Sequence, residues 1–308
     1  MNKKYLPEGY KAEFSDFDRH PTSISAVMEA ITTKEILEAS AISCDSYHNL
    51  IVDLGGAKGI IPRNEGAIGI AEGNVRDIAL ISRVGKRVCF TVTDTFLENG
   101  KTVFKLSRKD AQKRCTDYYI STLKAGDIIP AKITHMESFG AFCDIGCGCV
   151  ALLPIDTISV SRISHPKDRF KCGDDIKAVV KSIDSDGKIT LSIKELLGTW
   201  EENAALFSQG ETVSGIVRSV EDYGIFIELT PNLAGLAEIR PNVSVGQTAS
   251  VYIKSMLPDK MKVKLIIIDN FSADYSQDKL NYFTTDGHID SWQYSPDSCN
   301  RIIKTEFN

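Results

Sequence analysis

The strongest constraint on this chain is a repeat. Ser138-Phe139-Gly140-Ala141-Phe142-Cys143-Asp144-Ile145-Gly146 returns 84 positions later as Asp222-Tyr223-Gly224-Ile225-Phe226-Ile227-Glu228-Leu229. A weaker copy lies 91 positions earlier, as His48-Asn49-Leu50-Ile51-Val52-Asp53-Leu54-Gly55. Repetition at a long period means that one supersecondary unit has been built several times. Each of the two clear copies opens on a Gly-acid turn, Gly126-Asp127 or Gly210-Glu211. An alternating strand follows, with Ile129, Ala131 and Ile133 facing one way and Lys132 and Thr134 the other. Next come the aromatic-Gly-x-aromatic strand and an apolar run, Val150 to Ile155 or Ala234 to Ile239. A fourth strand starts after Gly173, and a hairpin with Asp186-Gly187 at its turn closes the unit. Five short strands separated by turn signals predict a small barrel of the oligonucleotide-binding type.

The middle copy strings together Gly126-Asp127, the Ser138 to Gly146 segment, Gly173-Asp174-Asp175-Ile176, and Ile183-Asp184 leading to Gly187-Lys188-Ile189-x-Leu191-Ser192-Ile193-Lys194. This order resembles the S1 RNA-binding repeat family, the repeats of ribosomal protein S1. The resemblance runs from Leu123 to Lys194 in the middle copy. The last copy, about Phe207 to Ile268, keeps both aromatics but lacks 11 residues between its third and fourth strands. The first, about Ile31 to Lys109, keeps Asp53-Leu54-Gly55, Gly59-Ile60-Ile61-Pro62, Val84-Gly85-Lys86 and Leu106-Ser107-Arg108-Lys109 but has no aromatic pair. The expected fold is mainly β, with three tandem five-stranded oligonucleotide-binding (OB-fold, S1-type) barrels joined by short helices and a small C-terminal α+β extension. The expected order is an N-terminal arm 1–30, a degenerate barrel 31–109, a linker 110–122, an S1 barrel 123–194, a linker helix 195–206, a shortened barrel 207–268 and the extension 269–308.

Phe139 and Phe142 are three residues apart, so strict strand alternation would put them on opposite faces. Gly140 between them allows a bulge that turns both rings to one side, and Tyr223, Gly224 and Phe226 repeat the pattern. Paired exposed rings form a platform for unpaired bases, each stacked base contributing roughly 1–3 kcal/mol. Cations for the phosphates are expected from Lys132 and Lys188 in the middle copy and from Arg218 and Lys260 in the last. The resemblance implies further contacts from a polar residue near the end of strand three and from an acid in the last hairpin. Those positions hold Pro154 and Asp184 in the middle copy and Glu238 and Leu257 in the last. The first copy offers His48 for stacking and Lys101 for charge. One ring of each pair could instead belong to the core.

Composition fits a soluble globular protein, with 43% hydrophobic and 25% charged residues. No apolar run approaches the roughly 20 residues of a membrane helix, and the N-terminus lacks the apolar core of a signal peptide. The cytoplasm is therefore expected, with no membrane partner. The formal charge of −5 counts against nucleic-acid binding, but residues 269–308 carry seven acids against three bases, whereas Leu123 to Lys194 has ten bases against nine acids. Eight scattered cysteines without any Cys-x-x-Cys pair argue against a disulfide framework. Cys143, Cys147 and Cys149 are read as small buried or turn thiols and not as a zinc or redox site. Gly66, Gly69 and Gly73 are spaced too loosely for a phosphate loop.

Three local expectations complete the reading. Residues 1–30, with Tyr5, Tyr10, Phe14 and Phe17, form an arm packed on the first barrel, with a short helix over Ser25 to Ile31. Lys109 to Ser121 and Lys194 to Ser208 form helices between barrels, the second with Trp200 packing and not stacking a base. The tail, with Tyr275, Tyr282, Phe283, Trp292, Tyr294 and Phe307, is packed, with two strands around Asp286-Gly287 and a final helix from Ser295; a lone His288 beside Asp290 is read as structural. Neither paired carboxylates nor a Ser-His-Asp order points to catalysis, so a non-enzymatic protein without cofactor or metal is expected. Its partner is single-stranded RNA, and the resemblance implies messenger RNA held at or near the small ribosomal subunit. The alternatives are an RNA-binding regulator or turnover factor off the ribosome, or a protein-interaction scaffold.

Overall fold

The computed structural model describes residues 3–11, 19–21, 23–272 and 280–307. The parts of the arm and tail expectations that rest on Phe14, Phe17 and Tyr275 lie outside the described residues. Three closed five-stranded barrels follow one another along the chain. Barrel one has β1 (Leu37–Cys44), β2 (Leu50–Asp53), β3 (Lys58–Ile61), β4 (Arg87–Glu98) and β5 (Lys101–Ser107), in the order β1-β2-β3-β5-β4. Barrel two has β6 (Ile128–Glu137), β7 (Gly140–Gly146), β8 (Cys149–Pro154), β9 (Asp175–Ile183) and β10 (Ile189–Ser192), in the order β10-β8-β7-β6-β9. Barrel three has β11 (Thr212–Glu221), β12 (Gly224–Thr230), β13 (Leu233–Ala237), β14 (Thr248–Leu257) and β15 (Lys262–Phe271), in the order β11-β12-β13-β15-β14. In each barrel the third strand runs parallel to the fifth, while every other recorded pair is antiparallel. Closure leaves no open sheet edge, which suits strands this short.

The alternation read from sequence is the burial pattern found. Ile129, Ala131 and Ile133 are buried on β6, while Lys132 and Thr134 are half-exposed. In β15, Val263, Leu265 and Ile267 point inward, and Lys262, Lys264, Ile266 and Ile268 point out. Helix α1 (Ile24–Thr33) is capped by Ser23, whose hydroxyl accepts the Ala26 N–H. The short α2 (Ile78–Ile81) buries Leu80 against the barrel-one core. Helix α3 (Arg108–Tyr118) follows β5, with Ser107 as its cap.

The chain forms two compact units, one around barrel one and the other around barrel three and the C-terminal segment, with the strands of barrel two divided between them. In the first, Tyr5, Leu6 and Glu8 of the arm are buried. Glu8 takes Arg108 at 2.6 and 2.9 Å and accepts the Cys89 N–H at 3.0 Å. Burial alone would raise the Glu8 carboxyl, but the Arg108 guanidinium outweighs it and holds the group below the usual carboxylate range. Asp144 accepts the N–H groups of Glu8, Gly146 and Gly148, yet burial and the nearby Glu8 charge still push it up to about 6.

Two local expectations fail in the second unit. The continuous helix expected over Lys194 to Ser208 is a 3-10 turn, Lys194–Leu197, followed by α4 (Trp200–Ala204). Gly198 breaks it at φ +82, where a Cβ would meet the Phe283 ring at 2.7 Å, and Thr199 caps the second piece. Trp200 is buried, as a packing residue should be. In the tail, Gly287 does turn the chain at φ +92, but His288 bridges to Asp127 instead of a return strand. The strand pair that forms is β16 (Ser291–Gln293) with β17 (Lys304–Glu306). No helix starts at Ser295, whose hydroxyl accepts the Ile303 N–H and so holds the β17 approach instead of capping a first turn.

Candidate nucleic-acid interface

Phe139 lies in the two-residue turn between β6 and β7, and Gly140 begins the strand. Tyr223 occupies the same place between β11 and β12. Both turn residues escape strand alternation, and this is how a spacing of three still brings two rings to one face. The Phe139 and Phe142 rings meet edge to face, with centroids 6.0 Å apart and planes at 88°. Tyr223 and Phe226 do the same at 6.1 Å and 86°. Phe139 is 55% exposed and Tyr223 70%, while Phe142 and Phe226 are half-buried, so neither pair has a ring in the core.

In barrel three the expected bulge is not at the glycine. Gly224 pairs regularly with Glu221, and the register slips in β11 between Val217 and Ser219. The glycines answer a different need, since a Cβ on Gly140 would sit 2.5 Å from the Leu153 carbonyl oxygen of β8. One on Gly224 would sit 2.7 Å from the Ala237 carbonyl oxygen. The Ile155 N–H donates to the Phe139 carbonyl at 3.0 Å and ties the platform turn to the end of β8.

The ladder of barrel three sets what lies beside the rings. Ser219 pairs with Phe226, Phe226 with Leu236, Leu236 with Lys264, and Lys264 with Ser255, one row across all five strands. The exposed Lys264 is thus the cation in register with Phe226. The expected cations of this copy are placed otherwise. Arg218 is held by Glu228 at 2.9 and 3.0 Å, and Glu228 is also gripped by Arg169 at 2.8 and 2.5 Å, so the Arg218 charge is spent inside the protein. Lys260 lies in the 3-10 turn Pro258–Lys260 that ends at Met261, outside the row.

In barrel two Leu152 pairs with Thr190 and Thr190 with Ser182, so the position corresponding to Lys264 is a threonine. Lys188 is exposed just past the Gly187 turn, its ammonium 3.4 Å from Asp186. Asp184 organises that turn by accepting the N–H groups of Asp186 and Lys188, so its carboxylate presents Lys188 and is itself engaged by backbone. Lys132 is half-buried on β6. His135 went unnoticed in the sequence. Its ring stacks on Phe142 at 6.2 Å and 21°, and its Nε2 lies 2.6 Å from Glu137. Met136 is buried three residues after Ile133, and that slip in alternation exposes His135. Strand periodicity alone does not show such a slip.

The corresponding row in barrel one is Ser43, Ile51, Ile60, Lys105 and Asp94. Ile51 and Ile60 stand where barrel three has Phe226 and Leu236, and Lys105 stands where it has Lys264. His48 stands at φ +60 in a turn, 3.5 Å from Asp77, and Lys101 opens β5 opposite Glu98. Barrel one brings no ring pair together. The eight cysteines are free thiols, Cys143 and Cys147 buried and Cys149 half-buried. Among the described residues no group of His, Cys, Asp and Glu side chains is arranged to hold a metal, and no helix is long and apolar enough to cross a membrane.

Tandem closed barrels with exposed ring pairs define a protein of the oligonucleotide-binding-barrel class. Residues 122–194 match the S1 RNA binding domain family. The chain is 31% identical over 226 residues to the small ribosomal subunit protein bS1 of Staphylococcus aureus strain COL, across 70% of this chain and 54% of that protein. It is 30% identical over 221 residues to the bS1 protein of Chlamydia muridarum, across 66% of this chain and 38% of that one. The chain spans about half the length, or less, of these curated relatives. A solved multidomain protein with nucleic acid binding domains from Streptococcus pneumoniae aligns over 76% of this chain and 73% of its own at 15% identity, with a TM-score of only 0.26. The chain belongs to the S1-type RNA-binding family.

Proposed function

We propose that this chain binds single-stranded RNA through barrels two and three, with little sequence readout, and works in translation in the cytoplasm by holding messenger RNA at or near the small ribosomal subunit. The observation that carries the RNA step is the recurrence of one geometry: a turn aromatic set edge to face against a strand aromatic, in barrel two and again in barrel three. Every base has a face to stack, so such platforms accept any sequence. Phe139, Phe142 and His135 supply the rings in barrel two, and Tyr223 and Phe226 those in barrel three. Lys188, Lys132 and Lys264 supply the positive charge for phosphates. The helical segments α3 and α4 serve as the joints between barrels. The translational role draws on the likeness to ribosomal bS1 proteins, and the chemistry is binding, not catalysis.

The test is fluorescence anisotropy of a labelled unstructured RNA with the wild-type chain and with Phe139→Ala plus Tyr223→Ala, across a salt series. Binding should weaken steeply with salt and by at least an order of magnitude in the double variant, as two lost stacks imply. Binding that ignores both changes would sink the platforms. Co-sedimentation with small ribosomal subunits tests the second half, and a chain that stays in the supernatant with RNA bound would place it off the ribosome.

A further inference from the structure

We propose that the C-terminal segment 280–307 is an intramolecular clamp that locks barrel three onto barrel two, making their two platforms one site for a single strand long enough to reach both; the clamp's ligand rests on the RNA-binding reading above. The segment grips barrel two by its backbone. The Ile289 N–H donates to the Gly126 carbonyl at 2.9 Å, and the Ile128 N–H donates to the Gly287 carbonyl at 3.1 Å. The Lys177 N–H donates to the Tyr282 hydroxyl at 3.2 Å, and Phe307 is buried with Val179 and Leu196. Gly126 shows how close the approach is. A Cβ there would sit 2.3 Å from the Ile289 carbonyl oxygen, whereas at the equivalent Gly210 of barrel three the nearest atom is the Tyr252 hydroxyl at 3.8 Å.

The same segment enters barrel three. Trp292 and Tyr294 are buried in its core cluster, and the Tyr294 hydroxyl donates to the Asn232 carbonyl at 2.5 Å. Asn232 in turn leaves barrel three through its side chain. Its amide donates to the Lys194 and Gly198 carbonyls, both at 2.8 Å, and its oxygen accepts the Val160 N–H at 3.0 Å. The Arg169 to Glu228 pair adds a second buried connection between the two barrels. The buried hydrogen bonds of Tyr294 and Asn232 and the Arg169 to Glu228 pair are costly to part, so the junction holds as a whole or opens as a whole. A fixed junction replaces linker-dependent encounter of a second site with a preset geometry. Neither platform is covered in the process, since Phe139 and Tyr223 stay exposed.

The experiment uses the full chain and two clamp variants, Phe307→Ala and the milder Tyr294→Phe combined with Asn232→Ala. Anisotropy is read with oligouridylates of about 6 and about 25 nucleotides, one shorter and one longer than a pair of barrel sites requires. The wild type should hold the long strand on the order of 100-fold more tightly than the short one. The clamp variants should lose most of that ratio while binding the short strand within about twofold of the wild type. Hydrogen exchange in β9 and β10 against β14 and β15 gives the independent readout: opening together in the wild type, separately in the variants. A preserved ratio in variants whose barrels open separately overturns the shared site, and barrels that still open together overturn the clamp. Failure of the wild type to bind either strand defeats the RNA reading and the shared site with it, and hydrogen exchange then decides the clamp alone.

Discussion

Gly140 and Gly224 are small because of what crosses above them. At Gly140 the obstruction is backbone on both counts, the Leu153 carbonyl oxygen at 2.5 Å and the Pro154 Cα at 3.0 Å from a notional Cβ. Backbone cannot swing aside as a lysine tip can, so a methyl there must push β8 away from the platform turn. Gly140→Ala is expected to cost about 1–3 kcal/mol, as overpacking does. It should show as a lower denaturant midpoint with unchanged slope. A midpoint indistinguishable from wild type would mean the glycine is dispensable. The motif at these positions is visible in the sequence, but a glycine between two aromatics suggests a bulge there, and only the neighbouring strand shows the close backbone approach that both glycines permit and, at Gly224, the regular pairing.

At the scale of elements, the parallel pairing of β13 with β15 decides which lysine faces the rings. Alternation along β15 is legible from Lys262 to Ile268, and it correctly separates the outward lysines from Val263 and Leu265. Nothing in that alternation says that Lys264 stands opposite Leu236 and hence in line with Phe226. Lys264→Ala should weaken RNA binding at every sequence and lower the salt slope by about one, while Lys260→Ala leaves the slope unchanged. Equal effects from the two would show that register does not select the cation. The linker over Lys194 to Ala204 carries the same lesson. Its apolar spacing reads as one helix, yet Gly198 must admit the Phe283 ring from a segment some eighty residues further on.

Across the whole second unit, the buried group of Arg169, Glu228 and Arg218 matters more than its surface appearance in sequence suggests. One carboxylate serves two guanidiniums, and the side chains of Arg169 and Glu228 are 5% and 4% exposed. Glu228→Gln would strand the Arg169 charge at the barrel junction and should cost about 3–5 kcal/mol, read by thermal or denaturant unfolding. Arg218→Ala, which removes the more accessible partner, should cost clearly less. An equal loss from both would indicate that the pair with Arg169 is not what holds the junction.

The sequence by itself determined the barrels. Repeat spacing, period-two alternation and turn glycines are local properties of the chain, and each acts within a few residues of where it is written. The two ring pairs were legible for the same reason, because a turn residue and its strand neighbour are bound to lie close together. Everything that depends on which distant segment arrives alongside was decided only by the tertiary structure. Closure of the barrel put Lys264 in the same row as Phe226, with Leu236 between them, and Thr190 beside Leu152. It also drew Arg218 inward to Glu228 instead of leaving it to meet phosphate. The tail became a clamp and not a hairpin with a helix because barrel two offered the Gly126 carbonyl and the Ile128 N–H as partners. Backbone groups pair with whatever the fold brings within reach, and that reach is set in three dimensions.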